Sequence, residues 1–320
     1  MALLQFAKRT IKVPLTLFKA IPHRKDYKGE FWRIVTPRLR FTWFPTERNA
    51  DIYNEALLGF LERHMPMPKE DELPQPEPAE KMRIWVMWWQ GAELMPPVVK
   101  ACHESLLRHS RGLEVVVITR DNVDKYVKLP SHIRRKLDEG RISLPALSDY
   151  IRVSLLSDYG GIWIDSTMFF IRDIPEAAIN GHFFTIREHK EAANFFCVSH
   201  AEWNIQFLAA TMTHCLIFEK VRKMWETYWA NFDSNVEYLM TDFFKARIFA
   251  TDSKARQMLE TVKPTNGKLY MLSENINAAY DATLWGKMSE GEDCFKLTYK
   301  MKFKEGDTFY HRLIDGKLSV

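Results

Sequence analysis

The stretch SDYIRVSLLSDYGGIWIDST, residues 148–167, holds three carboxylates, Asp149, Asp158 and Asp165, and one guanidinium, Arg152. A helix over 145–158 puts Asp149 and Arg152 three residues apart on one face, an acid and a base able to aim at the same polar ligand. As a bare surface ion pair the two would be worth under ~1 kcal/mol. Asp158 lies nine residues after Asp149 and so on the opposite side, in a last turn whose dipole opposes its charge. Water is its expected partner. Tyr159-Gly160-Gly161 then closes the helix, glycine supplying the left-handed geometry of the cap. Ile162-Trp163-Ile164 reads as a buried strand, and Asp165 leaves its carboxyl end, where open α/β sheets hold their ligands.

The elements around this stretch read as an α/β fold. MRIWVMWW (82–89) and LEVVVIT (113–119) are short apolar runs of the kind found in parallel sheets. Between them PPVVKACHESLLRHS starts on proline and carries Val98, Val99, Cys102 and Leu106 at helical intervals, completing a βαβ unit. Strands at 162–165, 167–171 and 182–186 extend the sheet, and long helices are expected over 203–230 and 235–262. PMPKEDELPQPEPAE (66–80), with five prolines and mostly acidic charge between them, is an extended linker or wrap. It divides a basic N-terminal extension, 1–65, from a catalytic-type domain, 81–320. Within the extension, Leu3, Leu4, Ala7 and Ile11 fall at helical spacing ahead of Pro14, with Lys8, Arg9 and Lys12 turned elsewhere. Such a basic amphipathic helix suits an anionic membrane surface and suits packing on its own domain equally well.

Charge sharpens that contrast. Residues 1–50 hold eleven Lys or Arg against three acids, a net of +8, in a chain whose total is +4. The basic character belongs to the N-terminus, which argues against nucleic acid bound along the whole protein. The four cysteines, 102, 197, 215 and 294, form no Cys-x-x-Cys and read as reduced core thiols. With no Asn-x-Ser/Thr acceptor and no apolar run near the ~20 residues that span a bilayer, the expected location is cytoplasmic, peripheral at the inner face of the membrane. Several enzyme classes drop out. HESLLRH (103–109) lacks the zinc-protease spacing because Leu107 stands where the second ligand is needed. There is no P-loop, no Gly-x-Gly-x-x-Gly fingerprint and no Gly-x-Ser-x-Gly elbow.

SDYIRVSLLSDYGGIWIDST resembles the Ser-Asp-x-x-Arg and Tyr-Gly-Gly-x-Tyr/Trp-x-Asp-x-Asp signature of sugar transferases of the capsular polysaccharide synthesis and family 32 type, shared by large clostridial glucosylating toxins. RIWVMWWQGAELMPPVVKACHES (83–105) is similar to their first strand, Trp-x-Gly turn and following helix. FKLTYKMKFKEGDTFYHRL (295–313) looks like the C-terminal end of the capsular group. The resemblance spans roughly 82–315.

That resemblance implies a GT-A fold, with a Rossmann-like mixed, mostly parallel sheet flanked by helices. It also implies retaining transfer of a sugar, a hexose from a UDP-linked donor, to a hydroxyl of a glycan or lipid-linked glycan acceptor. A nucleoside diphosphate gathers charge as it leaves, which calls for a divalent cation, Mn2+ or Mg2+, held by oxygen ligands. Asp165 matches the first motif aspartate, contacting ribose or sugar and holding metal; Asp149 and Arg152 match the pair that orients ribose and donor sugar, with Ser148 and Gly161 beside them. The second motif aspartate is replaced by Thr167, leaving a water-mediated contact to the metal and putting metal dependence in doubt. His311 is a further candidate ligand, against the plainer reading of a hydrogen-bonded histidine. Trp88 and Trp89 point to opposite faces of a strand, one for the core and one for a nucleobase; Trp89, followed by Gln90-Gly91, fits the Trp-x-Gly form better, and the other register stays open. On the acceptor side Asn194 and Trp203 are possible sugar contacts, and Asp242 either lies near the reaction centre or is a solvated helix carboxylate. The alternative to an enzyme is a catalytically weak or inactive relative that binds nucleotide or glycan without turnover.

Overall fold

The computed structural model describes residues 25–188, 197–233 and 235–318. Asn194 and the basic helix expected before Pro14 lie outside the described residues, as do residues 1–24 of the stretch 1–25 expected to meet a membrane surface.

Five strands form the central sheet in the order β2 (Glu114–Ile118), β1 (Arg83–Met87), β3 (Gly161–Ile164), β6 (Phe207–Ala210) and β5 (Phe184–Thr185). β1 runs parallel to both β2 and β3, while β6 is antiparallel to β3 and to β5. All strands but β6 therefore share one direction, and their carboxyl ends line one edge. The fold is the expected α/β class, a mixed and mostly parallel sheet flanked by helices. β1 and β3 are covered on both faces, as their unbroken apolar runs require: Ile84, Trp85, Ile162 and Trp163 are buried. Trp85 satisfies its indole N–H on the Gly160 carbonyl at 3.0 Å.

Two expectations about the strands change. Residues 167–171 do form β4 (Met168–Phe170), but it pairs antiparallel with β7 (Cys294–Lys296) as a separate two-stranded sheet instead of extending the main one. The helix expected over 203–230 starts only at Leu216; before it, Phe207-Leu208-Ala209-Ala210 is the fully buried strand β6. A short apolar run has no periodicity to separate strand from helix, and pairing with β3 and β5 decides it. The expected 235–262 helix is two helices, Met240–Thr251 and Ser253–Glu260, broken at Asp252. The Asp252 carboxylate caps the second helix by accepting from Ala255 N–H at 3.0 Å, and it pairs with Lys220 at 2.5 Å.

The helix Leu144–Asp158 starts at Ser143, whose hydroxyl accepts from Ala146 N–H, and packs between the sheet and the helix Leu216–Asn231. Asp158 is not left to water. It pairs with Arg222, which also binds Glu219 at 2.5 Å. The turn to β3 needs both glycines. Gly161 has φ +91°, and a Cβ there would meet the Arg83 carbonyl at 2.6 Å; at Gly160, φ +65°, it would meet the Ala79 methyl at 2.9 Å.

Ahead of the sheet, the helices Lys25–Trp43 and Glu47–His64 contribute Ile34, Phe41, Leu57 and Phe60 to the same hydrophobic core as the strands. Tyr53 donates to Glu237 at 2.5 Å, and Arg247 donates to the carbonyls of Leu61 and Met65. The Pro-rich stretch lies along residues 211–213, Ala79 N–H bonding to Thr211 at 2.9 Å and Thr213 N–H to Glu77 at 2.8 Å. A second apolar cluster joins the helix Pro97–Arg108 to β4, β7 and the C-terminal helices through Val98, Cys102, Phe169, Trp285, Phe295 and Phe309. All four cysteines are free thiols, and three are buried.

Candidate active site

The carboxyl edge of the parallel strands gathers the acid and the base that the motif spacing aligned. Arg152 and Asp149 pair at 3.0 Å on the one-turn spacing of their helix, and the same guanidinium lies 3.3 Å from Asp165 at the end of β3. Arg152 also donates to the carbonyl of Ile205, just before β6, and its guanidinium sits 5.1 Å from the centre of the Trp163 ring. Ser148, one turn earlier, is within 3.5 Å of it. A single buried cation thus ties the motif helix, the tip of β3 and the entry to β6 together.

Asp165 is the meeting point. Its backbone N–H is held by the Gln206 carbonyl at 2.8 Å. One carboxylate oxygen accepts from the Trp163 indole at 3.0 Å, and the other accepts from the ammonium of Lys296, on β7, at 2.7 Å. Burial alone would raise the pKa of this carboxyl; Lys296 and Arg152 outweigh it and hold it below its ordinary value. Asp165 is therefore an ionised group clamped between two cations. Lys296 is a residue that sequence reasoning missed. The signal available was a lysine inside the apolar run Cys294-Phe295-Lys296-Leu297, where a charge has to find a partner.

Behind this pair lies a second charged layer. Burial pushes the Asp149 carboxyl up to about 7 against the opposing pull of Arg152, with the nearby negative charges of Asp165 and Asp242 adding to the rise. Asp242 is buried, not solvated, and accepts from the Trp203 indole at 3.0 Å. Lys245 is buried one turn on; it donates to the Asn204 carbonyl at 2.9 Å and approaches the Trp203 ring. Burial raises Asp242 and lowers Lys245. Trp203 and Asp242 are thus bonded to each other deep behind the edge, and Trp203 packs in the main core.

The remaining candidates separate. Gly161 sits at the amino end of β3, four residues from Asp165 and so roughly 13 Å away along the strand. Its role is to let β1 come close, and it does not reach the edge. Trp89 packs against the main core. Trp88 stands at the edge instead, half-buried, with its indole N–H on the Leu94 carbonyl at 3.2 Å and its ring edge-on to Tyr299. Both rings are half-buried, so burial does not separate the two registers. His311 has its Nδ1 3.0 Å from the Thr308 hydroxyl and its Nε2 3.8 Å from Glu305, the plainer of the two readings given to it.

The donor set does not fit a divalent cation. Thr167 is buried and brings no carboxylate, and its carbonyl already accepts from Leu297 N–H at 2.9 Å. Both oxygens of Asp165 accept an N–H bond, one from Trp163 and one from Lys296, and the Arg152 guanidinium lies 3.3 Å away. Among the described residues no group of three His, Cys, Asp or Glu is arranged to hold a metal.

Comparison with known proteins adds a family. A family described as capsular polysaccharide synthesis protein matches residues 48–313. None of the curated proteins compared with the chain matches it. Among solved structures, the chain is similar to the apo structure of the bifunctional glycosyltransferase WbbM, at 11% identity and a TM-score of 0.41, over 74% of this chain and 49% of that one. It is also similar to the PaToxG glycosyltransferase, at 14% identity and a TM-score of 0.36, over 67% of this chain and 83% of that one. The chain thus spans about half the length of the WbbM structure.

Proposed function

Because the chain belongs to the capsular polysaccharide synthesis family, we propose that it is a retaining glycosyltransferase, moving a hexose from a UDP-linked donor to a hydroxyl of a glycan or lipid-linked glycan acceptor. The observation that carries this reading is the joint engagement of Asp149, Arg152 and Asp165 at the carboxyl edge of β3, next to the end of β1, which Trp88 follows. That edge is where an α/β sheet receives a nucleotide, and an aromatic face next to paired charges matches a base joined to ribose and phosphates.

Roles follow from chemistry and position. Asp165, ionised and about a fifth exposed, accepts hydroxyl protons of ribose or sugar, while Arg152 faces the phosphate. Asp149 holds Arg152 in place from behind. In transfer, the bond between the anomeric carbon and the phosphate oxygen breaks and its electron pair leaves with the phosphate. The acceptor oxygen bonds the same face of that carbon, and its proton passes to the departing phosphate oxygen. Among the described residues none stands out as the nucleophile of a double displacement, and the Asp165 carboxylate accepts from Trp163 and Lys296. Work in the cytoplasm at the inner face of the membrane fits the basic N-terminal residues; among the described residues no helix is long and apolar enough to cross a bilayer.

Incubation of the purified chain with a panel of nucleotide sugars, followed by detection of released nucleoside diphosphate, tests the reading. Turnover of one donor that is lost in Asp165→Ala, with the fold intact, is the expected result. Nucleotide binding with no turnover of any donor would instead identify a binding protein built on the same fold.

A further inference from the structure

Lys296 stands 131 residues from Asp165 in sequence and 2.7 Å from it in space. The lysine is fixed by its own backbone: Lys296 N–H bonds to the Leu269 carbonyl at 2.8 Å, Lys296 pairs with Met168 across β4 and β7, and Leu297 N–H bonds to Thr167 at 2.9 Å. Thr167 is the position at which the motif would otherwise bring its second carboxylate. Here its backbone instead docks the strand that delivers an ammonium. Lys296 and Asp165 are also the outermost charges of the cluster, their side chains 16% and 21% exposed against 5% and 8% for Arg152 and Asp149. Asp165 takes one of the three ammonium N–H bonds, which leaves two for a ligand.

Resting on the sugar-transfer reading above, we propose that Lys296 is a catalytic residue that, with Arg152, neutralises the donor diphosphate as fixed protein cations, so that this chain binds and turns over its donor without a divalent ion. A leaving diphosphate has to be met by positive charge in place before the bond breaks, whether a metal or side chains supply it. Asp165 holds the two cations one on each oxygen of its carboxylate, Arg152 at 3.3 Å and Lys296 at 2.7 Å. A divalent ion entering there would have to displace the ammonium from Asp165 and sit against the guanidinium, with no second carboxylate from Thr167 to compensate. When the bond between the anomeric carbon and the phosphate breaks, the charge gained by the phosphate oxygen is met by the Lys296 ammonium and the Arg152 guanidinium, neither of which gives up a proton. That proton comes from the acceptor hydroxyl.

The test is equilibrium binding of UDP, GDP and ADP to the full chain in EDTA and in Mn2+, for wild type, Lys296→Met and Lys296→Arg, with donor hydrolysis measured in parallel. One nucleotide should bind wild type in EDTA, and Mn2+ should leave its affinity unchanged. Lys296→Met should weaken that binding on the order of tenfold to a hundredfold, the worth of a hydrogen bond to a charged group, and Lys296→Arg should recover most of it. Thermal unfolding checks that the variants fold. If Lys296→Met does not, the wild-type and Lys296→Arg arms still decide. Binding or turnover that appears only with Mn2+ overturns the proposal while leaving the transferase reading standing, as does Lys296→Met binding as tightly as wild type in EDTA. No binding of any of the three nucleotides under either condition would remove both.

Discussion

Arg152→Met keeps the length of the side chain and removes the charge that three elements share. In the folded protein Asp165 would still have Lys296 at 2.7 Å and the Trp163 indole at 3.0 Å, so it stays compensated. Asp149 would not. It is buried and loses its ion-pair partner at 3.0 Å, and the Ile205 carbonyl loses a donor as well. Stripping one member from a buried pair costs about 3–5 kcal/mol. Because the Asp149 carboxyl is already raised to about 7, it takes up a proton near neutrality, which sets the expected loss near the lower end, about 3 kcal/mol. Asp149→Asn removes that stranded charge, so the double variant should be more stable than the sum of the singles predicts, with a coupling of about 1–3 kcal/mol in urea unfolding above neutral pH. Turnover should behave differently. Arg152→Met should lower donor hydrolysis by roughly 100- to 1000-fold, as loss of one charge-stabilising donor does, and Asp149→Asn should not restore it. Additive stabilities, within about 0.5 kcal/mol, would refute the claim that Asp149 and Arg152 form one buried unit. A loss under about 1 kcal/mol for Arg152→Met would place the pair with ordinary surface ion pairs.

Other outcomes follow from the same geometry. The folded chain keeps the Asp149 proton up to about 7, whereas the unfolded chain loses it near the ordinary carboxylate value, so the stability of wild type relative to Asp149→Asn should fall as pH rises through that window, by on the order of a few kcal/mol. A difference independent of pH, read from urea midpoints across the window, would count against the burial argument. Gly161→Ala adds a Cβ 2.6 Å from the Arg83 carbonyl at φ +91°, and the backbone strain alone should cost about 1–3 kcal/mol. Thermal melting would show it, and a neutral result would mean that β1 and β3 are not as close as described. Trp203→Phe leaves the buried Asp242 without its indole donor and should destabilise by about 1–3 kcal/mol in chemical unfolding; an unchanged midpoint would show that the carboxylate reaches solvent.

Local periodicity made the front of the site legible. Asp149 and Arg152 are one turn apart on a helix with a serine cap, and Asp165 follows a strand whose every residue is buried; spacing placed each of them, and the resemblance joined them into one site. What periodicity does not carry is pairing across the chain. Asp158 looked solvated because Arg222, its partner, belongs to a helix 64 residues on. Asp242 looked exposed for the same reason, since the apolar and aromatic residues that bury it come from other elements. β6 was misread as the start of a helix because Phe207-Leu208-Ala209-Ala210 has no alternation, being buried on both faces between β3 and β5. Lys296 was the costliest omission: the sequence marks it only as a charge in an apolar run, and the partner that gives it meaning is supplied by the fold.

A crystal structure of the full chain grown with UDP tests the account at its centre. The diphosphate should lie at the carboxyl edge of β3, within hydrogen-bonding distance of Arg152 and Lys296, with the base against Trp88. UDP bound elsewhere on the chain, or at this edge only through a metal ion that has displaced Lys296 from Asp165, would contradict it.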